Sequence, residues 1–225
     1  MLITALLITA FAATVILSGV MKKPGFGILA AVLAAGVWLW REGWDFAALG
    51  LAPPASWTRT ILLGLFLGLA IQLLSTIFLE PWLETLTGHA QDLSQLDAVK
   101  NNWRVLAAAL LASWVVAGFL EEVIFRGFLI TVLRDLLGGG ALAVGVGLLV
   151  STALFGLAHG YQEISGVIAT GFVGLILGLL FLASGYNLWL AIFAHGVIDT
   201  AGILLLAAGA NEPLKSLFWK NKSEE

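Results

Sequence analysis

The chain alternates long apolar runs with short polar or Gly/Pro segments. The runs occupy Leu2–Val20, Phe26–Trp40, Ile61–Leu79, Val105–Leu137, Ala141–His159, Val167–Ala183 and Leu188–Leu206. Crossing the hydrocarbon of a bilayer takes about 20 residues in a helix. Phe26–Trp40 is short for a span and borrows from its flanks. Val105–Leu137 is too long for one perpendicular span, so it must tilt, protrude or break. Pro24-Gly25, Pro53-Pro54, Gly138-Gly139-Gly140 and Ser184-Gly185 lie between runs and disfavour a continuing helix. The pattern predicts an all-α fold, a polytopic transmembrane helical bundle of about seven to eight spans. The eighth element would come from Trp82–Lys100 or from the C-terminal stretch.

Composition points the same way. Of 225 residues, 60% are hydrophobic and 11% charged, with a mean hydropathy of +1.00. A soluble domain is nearer half apolar and a quarter charged. The bilayer must therefore be the main solvent and partner. There is no cysteine, which excludes disulfides, thiolate metal sites and a cysteine nucleophile. A net charge of -3, scattered over loops, offers no nucleic-acid surface. Lys22 and Lys23 follow the first apolar run rather than precede it, which suits a retained span and not a secretory signal.

Trp38, Trp40, Trp57, Trp82, Trp103, Trp189 and Trp219 fall near span ends, as an aromatic belt would place them; Trp44 and Trp114 do not. With seven spans, Lys22, Lys23, Lys100, Arg104, Lys215, Lys220 and Lys222 share one side. Arg41, Arg59, Arg126 and Arg134 share the other. That bias predicts an outside N-terminus and an inside C-terminus. Gly174-x-x-x-Gly178 permits close helix contact, read as bundle packing rather than a dimerisation face. No internal repeat is evident.

The polar residues inside spans carry the chemical information, because an ionisable side chain in the membrane needs a partner or a polar cavity. Glu121-Glu122-Val123-Ile124-Phe125-Arg126 follows an apolar stretch from Val105. Glu122 and Arg126 are four apart and share a helix face. Glu121 points about 100° away and is free for another task. Phe155 and His159 share a face, and so do His195 and Asp199 within the last run. His89, Asp92 and Asp97 lie in a loop and read as solvated. Counting from the glycine turn, Glu121 and His159 both lie about 25–29 Å into the bilayer. From the Ser184–Asn187 turn, His195 and Asp199 lie about 10–18 Å in. One polar cavity for all four requires the long fourth run to tilt or protrude.

The ordered set Glu-Glu-x-x-x-Arg, Phe-x-x-x-His and His-x-x-x-Asp on successive spans resembles the CAAX protease and bacteriocin-processing (CPBP, or ABI) family of intramembrane endopeptidases. The resemblance covers about Leu106 to Leu206; residues 1–104 match only in being hydrophobic. It implies N-terminal helices and an interfacial loop over 1–104, a catalytic membrane core over 105–206 and a polar tail over 207–225. It further implies catalytic roles for Glu121, Glu122, Arg126, His159, His195 and Asp199. Asp199 stands where many members carry Asn. An ionised Asp cannot donate to an oxyanion as Asn can, so Asp199 either orients His195, is protonated, or helps to hold a metal.

The expected activity is hydrolysis of a peptide bond in a membrane-associated protein or peptide, with water activated by Glu121 and His159. A second version places zinc among Glu121, His159 and His195, a usual zinc set. The absence of His-Glu-x-x-His favours a metal-free glutamate mechanism. The expected location is the cell membrane of a prokaryote. Two other readings stay open: a proton-coupled transporter, since buried Glu, His and Asp also build proton relays, and a non-catalytic bacteriocin-immunity or scaffold protein.

Overall fold

A computed structural model describes residues 2–219. Lys220 and Lys222, counted above toward orientation, lie outside the described residues, as does the end of the polar tail. Within them the protein is helical, with no strand. Seven helices follow one another across the bundle. They are α1 (Leu2–Val20), α2 (Pro24–Arg41), α3 (Trp57–Thr87), α4 (Trp103–Leu136), α5 (Ala141–Ala158), α6 (Glu163–Ala183) and α7 (Trp189–Ala207). A short α8 (Asn211–Ser216) closes the described chain. Six of these are long and apolar enough to cross a membrane; α2 contributes the shorter apolar helix Gly27–Arg41. The protein is thus an integral, multi-pass membrane protein.

The bundle wears its apolar residues outside. Leu62, Phe66, Leu69, Leu111, Leu142 and Leu149 are all exposed, whereas Glu122, Arg126 and His195 are buried. Lipid, which cannot satisfy polar groups, favours this inversion.

Close backbone approach holds the helices together. A Cβ added at Gly64 or Gly68 of α3 would collide with Phe193 or Ala194 of α7. Gly156 of α5 faces Gly171 of α6, and Gly118 of α4 faces Gly196 of α7. Small residues give membrane helices the van der Waals contact that hydrophobicity cannot supply there. Gly178 packs on Leu148 of α5 and Gly174 on Phe155, so the Gly174-x-x-x-Gly178 motif serves packing within the bundle.

Three expectations are revised. The run Ile61–Leu79 continues through a wider-wound segment, Ser75–Leu79, to Thr87, so the extra element near Trp82 is an extension of α3. The long fourth run neither breaks nor simply tilts. It stays one helix of 34 residues, but Ser113–Glu121 and Val123–Ile130 are wound with i→i+5 hydrogen bonds. Trp38 is not at a headgroup level: it is buried edge-on to Phe128, with ring centroids 5.9 Å apart.

The ends of the bundle are distinct. Lys22, after α1, pairs with Glu163, at the start of α6, at 2.6 Å, and this ion pair raises the Lys22 pKa. Lys215 lies 4.0 Å from Glu80 at the same end. The α4–α5 turn and the tie from Leu188 N–H to Gly50 carbonyl sit at the other. Single cysteines test this directly, because the chain has none of its own. A membrane-impermeant maleimide should label S94C and E212C from one side and D135C from the other; labelling of all three from one side would refute the topology.

Candidate active site

Glu122 is the fixed point of the site. It is fully buried, and its Oε1 accepts from Arg126 Nη1 at 2.8 Å and from His195 Nδ1 at 2.7 Å. The first bond is the i,i+4 pair that spacing predicts; the second reaches across to α7. Arg126 continues outward, donating from Nη2 to the Gly174 carbonyl of α6 at 3.0 Å. Its guanidinium lies 4.2 Å from the centroid of Phe155 on α5. One carboxylate and one guanidinium thus tie together α4, α5, α6 and α7. Gly174 permits this, since a Cβ there would press on Phe155 and come within 3.2 Å of Arg126 Nη2.

Phe155 spaces the two histidines. Its ring centroid is 5.0 Å from that of His159 and 5.8 Å from that of His195. Behind it, Phe125 packs edge-on at 5.1 Å, and Ser151 donates to the Phe125 carbonyl at 2.7 Å. Both imidazoles are oriented through Nδ1. That of His159 faces the Phe155 carbonyl at 2.9 Å, and that of His195 faces Glu122. Each Nδ1 therefore donates its hydrogen, and Nε2 is left for the site. Asp199 stands 3.7 Å from His195 Nε2, with its side chain about a third exposed. The group orienting His195 is Glu122; Asp199 flanks the working nitrogen.

Glu121, one residue from Glu122, faces the other way. It lines a cavity of about 350 Å³ together with Phe155, His159, Tyr161, His195 and Asp199. Its Oε2 is buried without a hydrogen-bond partner. The four residues predicted to meet do share one cavity. The zinc set does not form: among the described residues no group of three or more His, Cys, Asp and Glu is arranged to hold a metal ion. With the Phe155 ring packed against both imidazoles and no such cluster formed, these residues do not fit zinc as they stand.

Several contributors were not foreseen. Tyr161 and Gln162 follow His159 in a short turn. The Tyr161 ring lies 5.7 Å from that of His159, and Gln162 accepts from Gln91 and Thr170. Asp92 donates its backbone N–H to the Gln162 carbonyl at 3.0 Å, so the loop read as merely solvated is tied to the site's rim. Hydrogen bonds from Ser94 hold the Asp92 carboxyl below its usual range. His89 remains exposed and Asp97 pairs with Lys100, as expected of a loop. The far wall of the cavity comes from α3, where Gln72 donates to Thr76 at 3.0 Å and Ser75 and Thr76 reach Glu80 at 3.3 and 3.4 Å. These residues were passed over as part of an apolar run with a polar end. The i,i+4 series Gln72, Thr76, Glu80 was the signal that could have found them.

The fold and site define a class: a membrane-embedded helical bundle with a buried carboxylate–histidine centre in a cavity. Residues 103–201 match the family described as type II CAAX prenyl endopeptidase Rce1-like. No curated protein and no solved structure matches the chain. The similarity is thus confined to the segment that carries the ordered motifs, and there it is to the CAAX prenyl endopeptidases.

Removing one partner of a buried ion pair leaves the other charge uncompensated, typically at about 3–5 kcal/mol. Arg126→Ala should lower unfolding stability in detergent by about that amount. The double change Glu122→Leu/Arg126→Met should lose much less. Equal losses in the two variants would show that Arg126 acts through packing alone.

Proposed function

We propose that the protein is an intramembrane endopeptidase that hydrolyses a peptide bond of a membrane-associated protein or peptide. The observation that carries this reading is the cavity that Glu121 shares with two pre-oriented imidazoles. Peptide hydrolysis needs a base for water, an acid for the leaving amine and a donor for the oxyanion. The cavity presents a candidate for each.

A substrate segment in the 350 Å³ cavity sets its scissile carbonyl between Glu121 and His195. Glu121 takes a proton from water as the water oxygen attacks the carbonyl carbon. His159 Nε2 helps to hold that water, its Nδ1 being committed to the Phe155 carbonyl. With Glu122 at Nδ1 and Asp199 near Nε2, His195 acts as an imidazolium, and its Nε2–H donates to the developing oxyanion. The Nδ1–H bond to Glu122, braced by Arg126, fixes the ring for this task. Collapse of the tetrahedral intermediate breaks the C–N bond, and the proton held by Glu121 passes to the leaving nitrogen. Asp199, 3.7 Å from Nε2, is proposed to hold His195 in its charged form rather than to contact the oxyanion itself.

In this scheme Glu121, His159 and His195 are catalytic residues, while Glu122 and Arg126 are positioning residues. The mechanism is of the glutamate type, supported by the separation of the two imidazoles by Phe155.

The test compares cleaved protein termini in membranes from cells with the wild-type protein and with Glu121→Gln. The substitution keeps shape and removes the base, so turnover of an identified substrate should fall about 10²–10⁴-fold with folding intact. Unchanged termini would overturn the endopeptidase reading. The same assay with 1,10-phenanthroline should retain activity; loss restored by added zinc would overturn the metal-free mechanism.

A further inference from the structure

Behind the catalytic wall lies a second, smaller cavity of about 150 Å³. It is enclosed by α1, α2, α4 and α5, on the opposite side of Glu121 from the groove formed with α3 and α7. Glu121, His159 and Tyr161 border both cavities, so these three side chains form the partition. Most of the rear wall is apolar, including Val15, Ile28 and Ala31. The polar groups concentrate at the partition, with Ser18 at the rim.

We propose that this rear cavity is a water site that feeds the nucleophile to Glu121, separate from the cavity that receives the peptide. The inference rests on the endopeptidase reading above. A site holds water when it is roomy enough and offers each molecule two to four polar partners. This one accommodates several waters by volume. Glu121 lines this cavity, and since its Oε2 is wholly enclosed, Oε1 is the carboxylate oxygen left to meet a water. Tyr161 hydroxyl accepts from Gln162 Nε2 at 3.3 Å and keeps its own proton to donate. Ser18 Oγ accepts from Gly27 N–H and donates to the Lys23 carbonyl, which leaves one lone pair. A purely apolar pocket of this size would stay dry; the carboxylate at its wall decides otherwise.

The arrangement answers a need of the reaction. A peptide filling the front cavity displaces the water there, yet hydrolysis consumes one water per bond. A rear store keeps water in contact with Glu121 while substrate is bound. It also places attack on the face of the carbonyl opposite the substrate's entry. The turn that carries the partition is anchored from this side: a Cβ at Gly160 would collide with the Gly19 carbonyl of α1, and Lys22 grips Glu163. Glu163 holds a φ of +64°, a conformation that non-glycine residues adopt only when their surroundings impose it.

The experiment fills the rear cavity without touching the partition. Ala31 is buried on α2 and lines it, so Ala31→Val and Ala31→Leu reduce its volume stepwise. On an identified substrate, kcat should fall stepwise, to about a tenth or less for Leu, with KM within about twofold. X-ray radiolytic labelling supplies a readout independent of turnover, since water held against a side chain yields hydroxyl radical in place. Tyr161 and Phe125 should be labelled in the full wild-type chain, and labelling should drop at least threefold in Ala31→Leu. Unfolding temperature in detergent certifies that each variant is folded; if Leu does not fold, the Val variant alone decides. Unchanged kcat and unchanged labelling in a folded variant would overturn the water site while leaving the endopeptidase reading intact. If wild type and Glu121→Gln are equally inactive, the reading of function fails, and the labelling still reports on the water.

Discussion

Everything polar in this bundle hangs on the burial of Glu122. An ionised carboxylate taken wholly out of water is unfavourable by many kcal/mol unless charge and hydrogen bonds are brought to it. Arg126 arrives from one turn further along the same helix and His195 from another helix. Because both bind Oε1, α4 and α7 cannot slide past one another without breaking a buried contact. Arg126 in turn needs the Gly174 carbonyl and the face of Phe155, which fixes α6 and α5. The position of each imidazole relative to Glu121 follows from this network.

The division of labour between the adjacent glutamates is a consequence of helical geometry. Successive side chains diverge by about 100°, so one carboxylate can be spent on structure while its neighbour faces a cavity. Glu122 is saturated with charged partners on one oxygen. The second oxygen of each is enclosed without a protein partner, and it is Glu121 that lines the cavity. The same amino acid thus acts as a girder at one position and faces a cavity at the next.

Much of this was legible in the sequence, and the reasons are specific. Membrane spans announce themselves through length and hydropathy, and the i,i+4 pairing of Glu122 with Arg126 follows from periodicity alone. The meeting of Glu121, His159, His195 and Asp199 could be expected because each is intolerable in lipid by itself. What could not be read was the depth match. Counting residues from the turns leaves the two pairs at different levels, and the way helices pack against one another, as at the Gly118–Gly196 approach, is not written in local propensity. The Glu122–His195 bond was hidden for a related reason: spacing pairs His195 with Asp199, and only the crossing of α4 over α7 substitutes a better partner. Trp38 misled because an aromatic ring near a span end serves an interface and a core equally well. Tyr161 and Gln162 lay in a turn with no periodicity to mark them.

The matched segment begins at residue 103, yet the partition around Glu121 is completed by α1 and α2. The portion that carries the recognisable motifs is therefore not a self-sufficient unit. Cut away from its amino-terminal hairpin, it would turn Glu121 and His159 toward acyl chains, where neither could keep a charge. The first hundred residues supply walls on both sides of Glu121, mostly apolar from α1 and α2 and partly polar from α3. The boundary that sequence comparison draws marks where the motifs begin, and it falls inside the structure that encloses them.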